Sequence, residues 1–244
     1  MADQVTGQTT TDYLQDLLLV SDGIEDFLGE FARSAATHLF DRPGQILCGI
    51  TLLRHKRPGT VAGSDDIARM LDELQDLLDG GPCLTACEEQ RTIHIADVAT
   101  DERWAGYLGH AAQHGVTAIL TVPFNLDSGA RAALTVYSTD RSGFTDAAIE
   151  TTESFVAQTS RALMLSVRLA ERNESVTDLK EAMKSRTAID IAIGIIMAQN
   201  RCSQEEAFGI LKSVSSSRNE KIRDIAASVV TSIGQAEPET HFER

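Results

Sequence analysis

The sequence predicts two folded domains in one chain. The first is an α/β domain with a largely antiparallel sheet flanked by helices, the second an all-α domain of three helices, and a long coiled-coil-like helix joins them. Three observations predict this. Apolar runs that alternate with the period of strands are separated by stretches of helical period up to about residue 138. From Phe144 to Ile193 no proline or glycine interrupts the chain, which suits one unbroken helix. Beyond Ser185 apolar residues recur at helical spacing in three short blocks.

In chain order, residues 13–39 mix Leu14, Leu17, Leu18, Ile24, Phe27, Leu28, Phe31 and Leu39 with acidic positions, predicting a helix broken or bent near Gly23. Asp41-Arg42-Pro43-Gly44 reads as a turn, and Ile46, Cys48, Ile50 and Leu52 place one side of a strand across residues 45–54. A further short strand is expected across Arg57-Pro58-Gly59. Ser64 or Asp65 can cap a helix running to about Leu78, which Gly80-Gly81-Pro82 ends. A short strand at 92–95, a polar-faced helix at 104–114, an apolar strand at 116–124, a hairpin loop at Asp127-Ser128-Gly129 and a returning strand at 132–138 complete the sheet.

In the following helix, Ala162, Leu165, Leu169, Val176, Leu179 and Met183 keep 4–3 spacing, with Gln158 and Arg172 as polar members of the seam. This predicts a parallel dimer along residues 155–185. A single amphipathic helix lying on its own sheet gives the same periodicity. In the last domain Ile189, Ala192, Ile193, Ile196 and Met197 form the first apolar stripe. Ser203 with Glu206 is a capping-box start, Ala207, Phe208, Leu211 and Val214 face the core from the second helix, and Ser215 to Asn219 form a turn. Ile222, Ile225, Ala226, Val229 and Ile233 supply the third helix.

Two blocks of residues carry resemblances. The order Ser185-Arg186, Ile189, Ala192, Gly194, Ile195, Met197, Ser203, Glu206-Ala207-Phe208, Leu211, Asn219, Lys221-Ile222-Arg223 and Ala226 resembles the ANTAR domain, a three-helix RNA-binding module of bacterial antitermination regulators. Many relatives carry lysine where Ile193 stands here. The phrases GPCLTAC, HIADVATDERW, GVTAILTVPF and ALTVYS resemble the GAF half of GAF–ANTAR regulators. The expected division is a GAF sensor over 13–170, a connecting helix over 155–185 and an ANTAR domain over 180–234.

At 244 residues with 42% apolar and 24% charged composition, the chain is long enough for two cores, and no apolar run reaches the roughly 18 residues that cross a bilayer. Its polar N-terminus shows no export signal, so a cytoplasmic protein without membrane contact is expected. A net charge of −14 argues against a surface that binds nucleic acid throughout. Residues 180–234 reverse the balance, with eight basic side chains against six acidic ones. On that surface Lys184, Arg186, Lys212, Asn219, Lys221 and Arg223 are the candidates for gripping RNA. Asn219 can also cap the third helix, and Arg186 can pair with an acid across the bundle.

The resemblance implies binding rather than turnover: stem-loops of a nascent leader transcript bound by a homodimer, with no catalytic residues and no cofactor. GAF domains either bind small molecules or bind nothing and only dimerise; for an unidentified ligand at this one, Cys83, Trp104, Phe124 and Tyr137 are the candidates. Trp104 reads equally as a lid over a pocket or as packing. Cys83 and Cys87 followed by His110 and His114 have an allowed zinc spacing, but packed or pocket-lining thiols and partly exposed histidines are the preferred reading, with no metal. Cys48, Cys83 and Cys87 leave a GAF-based thiol or redox sensor or enzyme, with the last helices serving protein-protein contacts, as the alternative. Asp97 and Asp101 are expected to be turn and cap residues.

Overall fold

The computed structural model describes residues 16–17, 21, 23–40, 44–54, 59–78, 80–126 and 129–233. The chain divides into two compact units, Met1–Ala170 and Glu171–Arg244. In the first, α1 (Ile24–His38) begins directly after Gly23, so the expected break there is a helix start. β1 (Ile46–Leu53) and β2 (Thr60–Gly63) follow, then α2 (Asp66–Leu77) and α3 (Pro82–Glu89). β3 (Ile93–Ile95), α4 (Ala105–Gln113), β4 (Ala118–Phe124) and β5 (Arg131–Ser138) complete the sheet, whose strand order is β2-β1-β5-β4-β3 with every pairing antiparallel.

The short strand expected around residues 57–59 begins instead at Thr60, after Gly59; Arg57 and Pro58 lie outside the described residues, as do 41–43 of the expected turn and 127–128 of the hairpin loop. Strand alternation sorts the sheet's side chains into two cores. Cys48, Ile50, Leu52, Leu120, Phe124, Leu134 and Val136 pack with Phe27, Phe31, Leu163 and Val167 on one face. Ile119, Ala133 and Tyr137 pack with Leu71, Cys83, Cys87, Tyr107 and Leu108 on the other. Each fully buried large side chain contributes about 1.5–3 kcal/mol of transfer free energy, so a sheet covered on both faces is stabilised by both.

α5 runs from Asp146 to Asn200. Its first third is not free for a dimer seam: Phe155, Val156, Ala162, Leu163 and Val167 pack into the core of the sheet. The expected seam therefore starts at Leu165, and from there Leu165, Leu169, Val176, Leu179 and Met183 are exposed. The reading of a helix lying on its own sheet describes the first stretch, and beyond it the expected seam residues are left uncovered in the single chain.

In the second unit, the end of α5, α6 (Gln204–Arg218) and α7 (Ile222–Ser232) share a core of Ala188, Ala192, Ile193, Ile196, Ala207, Leu211, Ile225, Ala226 and Val230. The expected capping box is present: the Ser203 hydroxyl accepts from the Glu206 N–H at 3.3 Å and the Glu206 carboxylate accepts from the Ser203 N–H at 2.8 Å. Two expectations are corrected. Phe208 is 42% exposed, because Ala207 and Leu211 define the buried stripe and Phe208 projects beside it. Residues 215–218 are helical rather than a turn. The Ser217 hydroxyl donates to the Val214 carbonyl within the helix and the Ser215 hydroxyl donates to the Glu220 carbonyl just beyond its cap, so these serines bond along the helix end instead of breaking it.

Candidate functional site

On the face of the sheet covered by α2, α3 and α4, a carboxyl group lies in the core. Asp72 falls on the buried stripe of α2 with Ala68, Leu71 and Gln75, and is 3% exposed. Its Oδ1 accepts from the Tyr137 hydroxyl at 2.5 Å and from the Gln75 amide at 3.1 Å, and its Oδ2 accepts from the Thr51 hydroxyl at 3.3 Å. The Gln75 carbonyl oxygen accepts from the Cys83 N–H at 2.7 Å, which fixes the amide with its NH₂ toward Asp72. Tyr107 on α4 reaches the Tyr137 hydroxyl at 3.1 Å. Burial, partly opposed by these hydrogen bonds, raises the Asp72 pKa to about 7. Burial also pushes both tyrosines well above their usual range.

The network depends on two missing side chains. A methyl group on Gly49 of β1 would lie 2.8 Å from the Asp72 carboxyl carbon, and one on Gly81 would lie 2.6 Å from the Gln75 amide carbon. Neither glycine needs an unusual backbone angle; both provide room for close approach.

Of the four pocket candidates, three share this face. Cys83 and Tyr137 are in its core and half-buried Trp104 packs against them. Phe124 is placed on the opposite face among Phe31 and its neighbours, 5.7 Å between ring centroids, because strand alternation turns it away. Asp72, Gln75, Thr51 and Tyr107 had not been singled out. The available signal was two polar residues on the apolar stripe of α2.

The thiols are poorly suited to nucleophilic work. Cys83 is held protonated first by its hydrogen bond to Cys87 and then by burial, and burial raises Cys48 strongly. Cys48 lies in the core on the other face of the sheet from Cys83 and Cys87. His110 and His114 are exposed on and beside α4, while Cys83 and Cys87 are buried on α3. The Asp97 carboxylate accepts from the Ala99 N–H, a turn contact. Asp101 accepts from the Arg103 N–H and guanidinium, and that guanidinium also donates to the His94 carbonyl and sits 5.0 Å from the Trp104 ring.

All six RNA candidates are exposed. Arg186 pairs with Asp190 one turn along its own helix at 3.9 Å, not across the bundle, and Arg223 lies 3.5 Å from Asp224. At such exposure these pairs restrain the side chains weakly. Asn219 closes α6 in the left-handed conformation (φ 52°) rather than capping α7, whose N-cap is Lys221. Asn219 and Lys221 thus sit in one tight corner, with Arg223 in the first turn of α7. Ile193, where many ANTAR relatives have lysine, is in the core.

A family model described as a GAF domain matches residues 17–164, and one described as an ANTAR domain matches 177–230. No curated protein matches the chain. Among solved structures, the N-acylhomoserine lactone dependent LuxR family transcription factor CepR2 from Burkholderia cenocepacia is 15% identical, covering 68% of this chain and 99% of that one with a TM-score of 0.50. The GAF domain of a phosphoenolpyruvate-protein phosphotransferase from Coxiella burnetii is 12% identical over 69% of this chain and 96% of that one, TM-score 0.49. The fRMsr of Staphylococcus aureus in complex with substrate is 21% identical over 64% and 95%, TM-score 0.43. Identities this low speak to fold alone. Among the described residues no helix is long and apolar enough to cross a membrane.

Proposed function

We propose a function from one premise: the chain belongs to the GAF domain family, with an ANTAR domain following it in the same chain. ANTAR is an RNA-binding antitermination domain and GAF a signal-sensing domain, an architecture that suggests a regulator rather than an enzyme. The finer reading is that this chain, as a cytoplasmic homodimer, binds paired stem-loops of a nascent leader transcript, prevents terminator formation, and does so under control of its GAF domain.

One observation carries the reading. Lys184, Arg186, Lys212, Asn219, Lys221 and Arg223 are all solvent-exposed on a unit that has an apolar core of its own, within a chain of net charge −14. Basic side chains free to reach phosphate are the requirement for RNA affinity, and unstacked hairpin loops offer bases beside those phosphates. Two stem-loops call for two such surfaces, and the exposed apolar residues of α5 supply a seam along which two copies can pair.

The test is binding of the full chain to a two-hairpin leader RNA across a salt series. Affinity should fall steeply with salt through counterion release. Replacing Lys221 and Arg223 together by alanine should weaken binding while the fold and oligomeric state persist; unchanged affinity would show that the surface is wrongly assigned.

A further inference from the structure

We propose that Asp72 is a proton-operated latch on the GAF unit: the closed packing of α2 and α3 against the sheet holds its carboxyl protonated, and opening of that packing releases the proton to water. This rests on reading the GAF unit as the sensor, and it adds solution pH to the signals that unit integrates.

Around the carboxyl β1 contributes Thr51, and Cys48, three residues earlier on the strand's other face, is close enough for the Asp72 charge to raise it. From β5 come Tyr137 and Thr135, from α2 itself Gln75, from α3 Cys83 with Cys87 bonded behind it, and from α4 Tyr107. Thr51, Thr135 and Gln75 are neutral dipoles, and Cys48, Cys83, Tyr107 and Tyr137 are weak acids that burial keeps protonated. None can carry a positive charge, so an ionised Asp72 would be an uncompensated charge in a dry core.

The protonated form is accommodated without rearrangement. Oδ1 keeps both its donors, and a proton on Oδ2 can be donated to the Thr51 hydroxyl by reversing that single bond. The ionised form needs water, and the route for it is the α2–α3 junction. There Gly80 and Gly81 follow the end of α2, whose Leu77 is 81% exposed and Leu78 45% exposed. Among the described residues, Gln75 is tied across the junction by the N–H groups of Gly80 and Cys83. Swinging α2's last turn outward at the two glycines breaks those ties and exposes Asp72 to solvent.

Linkage fixes the sign. The closed state binds the proton with a pKa of about 7 and an opened state with an ordinary carboxyl value, so acid favours the closed form. Opening should rise about tenfold per pH unit between about pH 5 and pH 7, and level off above.

The experiment uses the full chain without RNA, so that its outcome is independent of the RNA-binding reading. Infrared spectroscopy should find a protonated carboxylic-acid carbonyl band that persists well above the ordinary carboxyl range, titrates near neutrality and is absent from Asp72→Asn. Hydrogen exchange, corrected for intrinsic rates, should show protection of α2 and α3 amides falling about tenfold per pH unit in the same window, with the slope abolished in Asp72→Asn. Should that variant not fold, Tyr137→Phe, which removes the shortest donor to the carboxylate, should raise the midpoint of the wild-type band. A band that never appears, or a carboxyl that titrates while α2 and α3 protection stays flat, overturns the proposal.

Discussion

Gly49 and Asp72 face each other so closely that a methyl group on the glycine would sit 2.8 Å from the carboxyl carbon. The obstructing atoms belong to a short side chain held by Tyr137, Gln75 and Thr51, so they cannot swing aside as the end of a lysine would. Gly49→Ala should therefore destabilise the GAF unit by about 1–3 kcal/mol, the range for overpacking a filled core. Urea unfolding followed by tyrosine fluorescence would measure it, and a loss below the scatter of surface substitutions would contradict the packing described.

The box at Ser203 and Glu206 makes a prediction confined to the other unit. Ser203→Ala removes the hydroxyl that accepts from the N–H of residue 206 and should cost about 1 kcal/mol in thermal unfolding followed by circular dichroism. The Ser203 backbone N–H, with its hydroxyl second, holds the Glu206 carboxyl below its ordinary value. A depressed folded-state value means the stabilisation is present above the unfolded pKa and lost as pH falls through the folded one. The Ser203→Ala difference should accordingly shrink in acid.

Much of this was legible in the residues themselves. The spacing of Ile46, Cys48, Ile50 and Leu52 located β1 and its inner face, and Ser203 with Glu206 located the start of α6. α3 was not legible: it begins at Pro82 after two glycines, and its Cys and Thr are poor helix formers, so its first turn reads as loop. The Asp72 network was missed for another reason. Asp72 and Tyr137 are 65 residues apart, and only the fold pairs them. Asp72 and Gln75 at buried positions of an otherwise amphipathic helix were the visible trace. Phe124 was misplaced because hydrophobicity alone does not say which face of a sheet covered on both sides a strand residue takes.

The basic surface can be divided by salt dependence. Each lysine or arginine that grips a phosphate adds to the slope of log affinity against log salt, by about 0.7 on a single strand and about 0.9 on a B-form DNA duplex. Lys212→Ala and Lys221→Ala should each lower the slope by about one contact, whereas Arg186→Ala, whose guanidinium already lies near Asp190, should lower it less. Fluorescence anisotropy with the two-hairpin RNA would measure these slopes. Equal slopes in all variants would remove these side chains from the interface.

The seam on α5 gives the sharpest separation of dimerisation from RNA contact. Val176 and Leu179 are 52% and 62% exposed and carry none of the RNA candidates. In a paired helix both would be knobs, and a carboxylate at either would be buried without a partner. Val176→Glu with Leu179→Glu should convert the proposed dimer to monomer in sedimentation equilibrium while the helical signal of the second unit persists. If the two RNA surfaces act through effective concentration, the monomer should still bind one hairpin with wild-type affinity. It should bind the tandem-hairpin RNA about 10²–10⁴-fold more weakly than the dimer does. A monomeric variant that keeps full tandem-hairpin affinity would mean that one ANTAR surface recognises the whole RNA, and the exposed seam would then need another occupant.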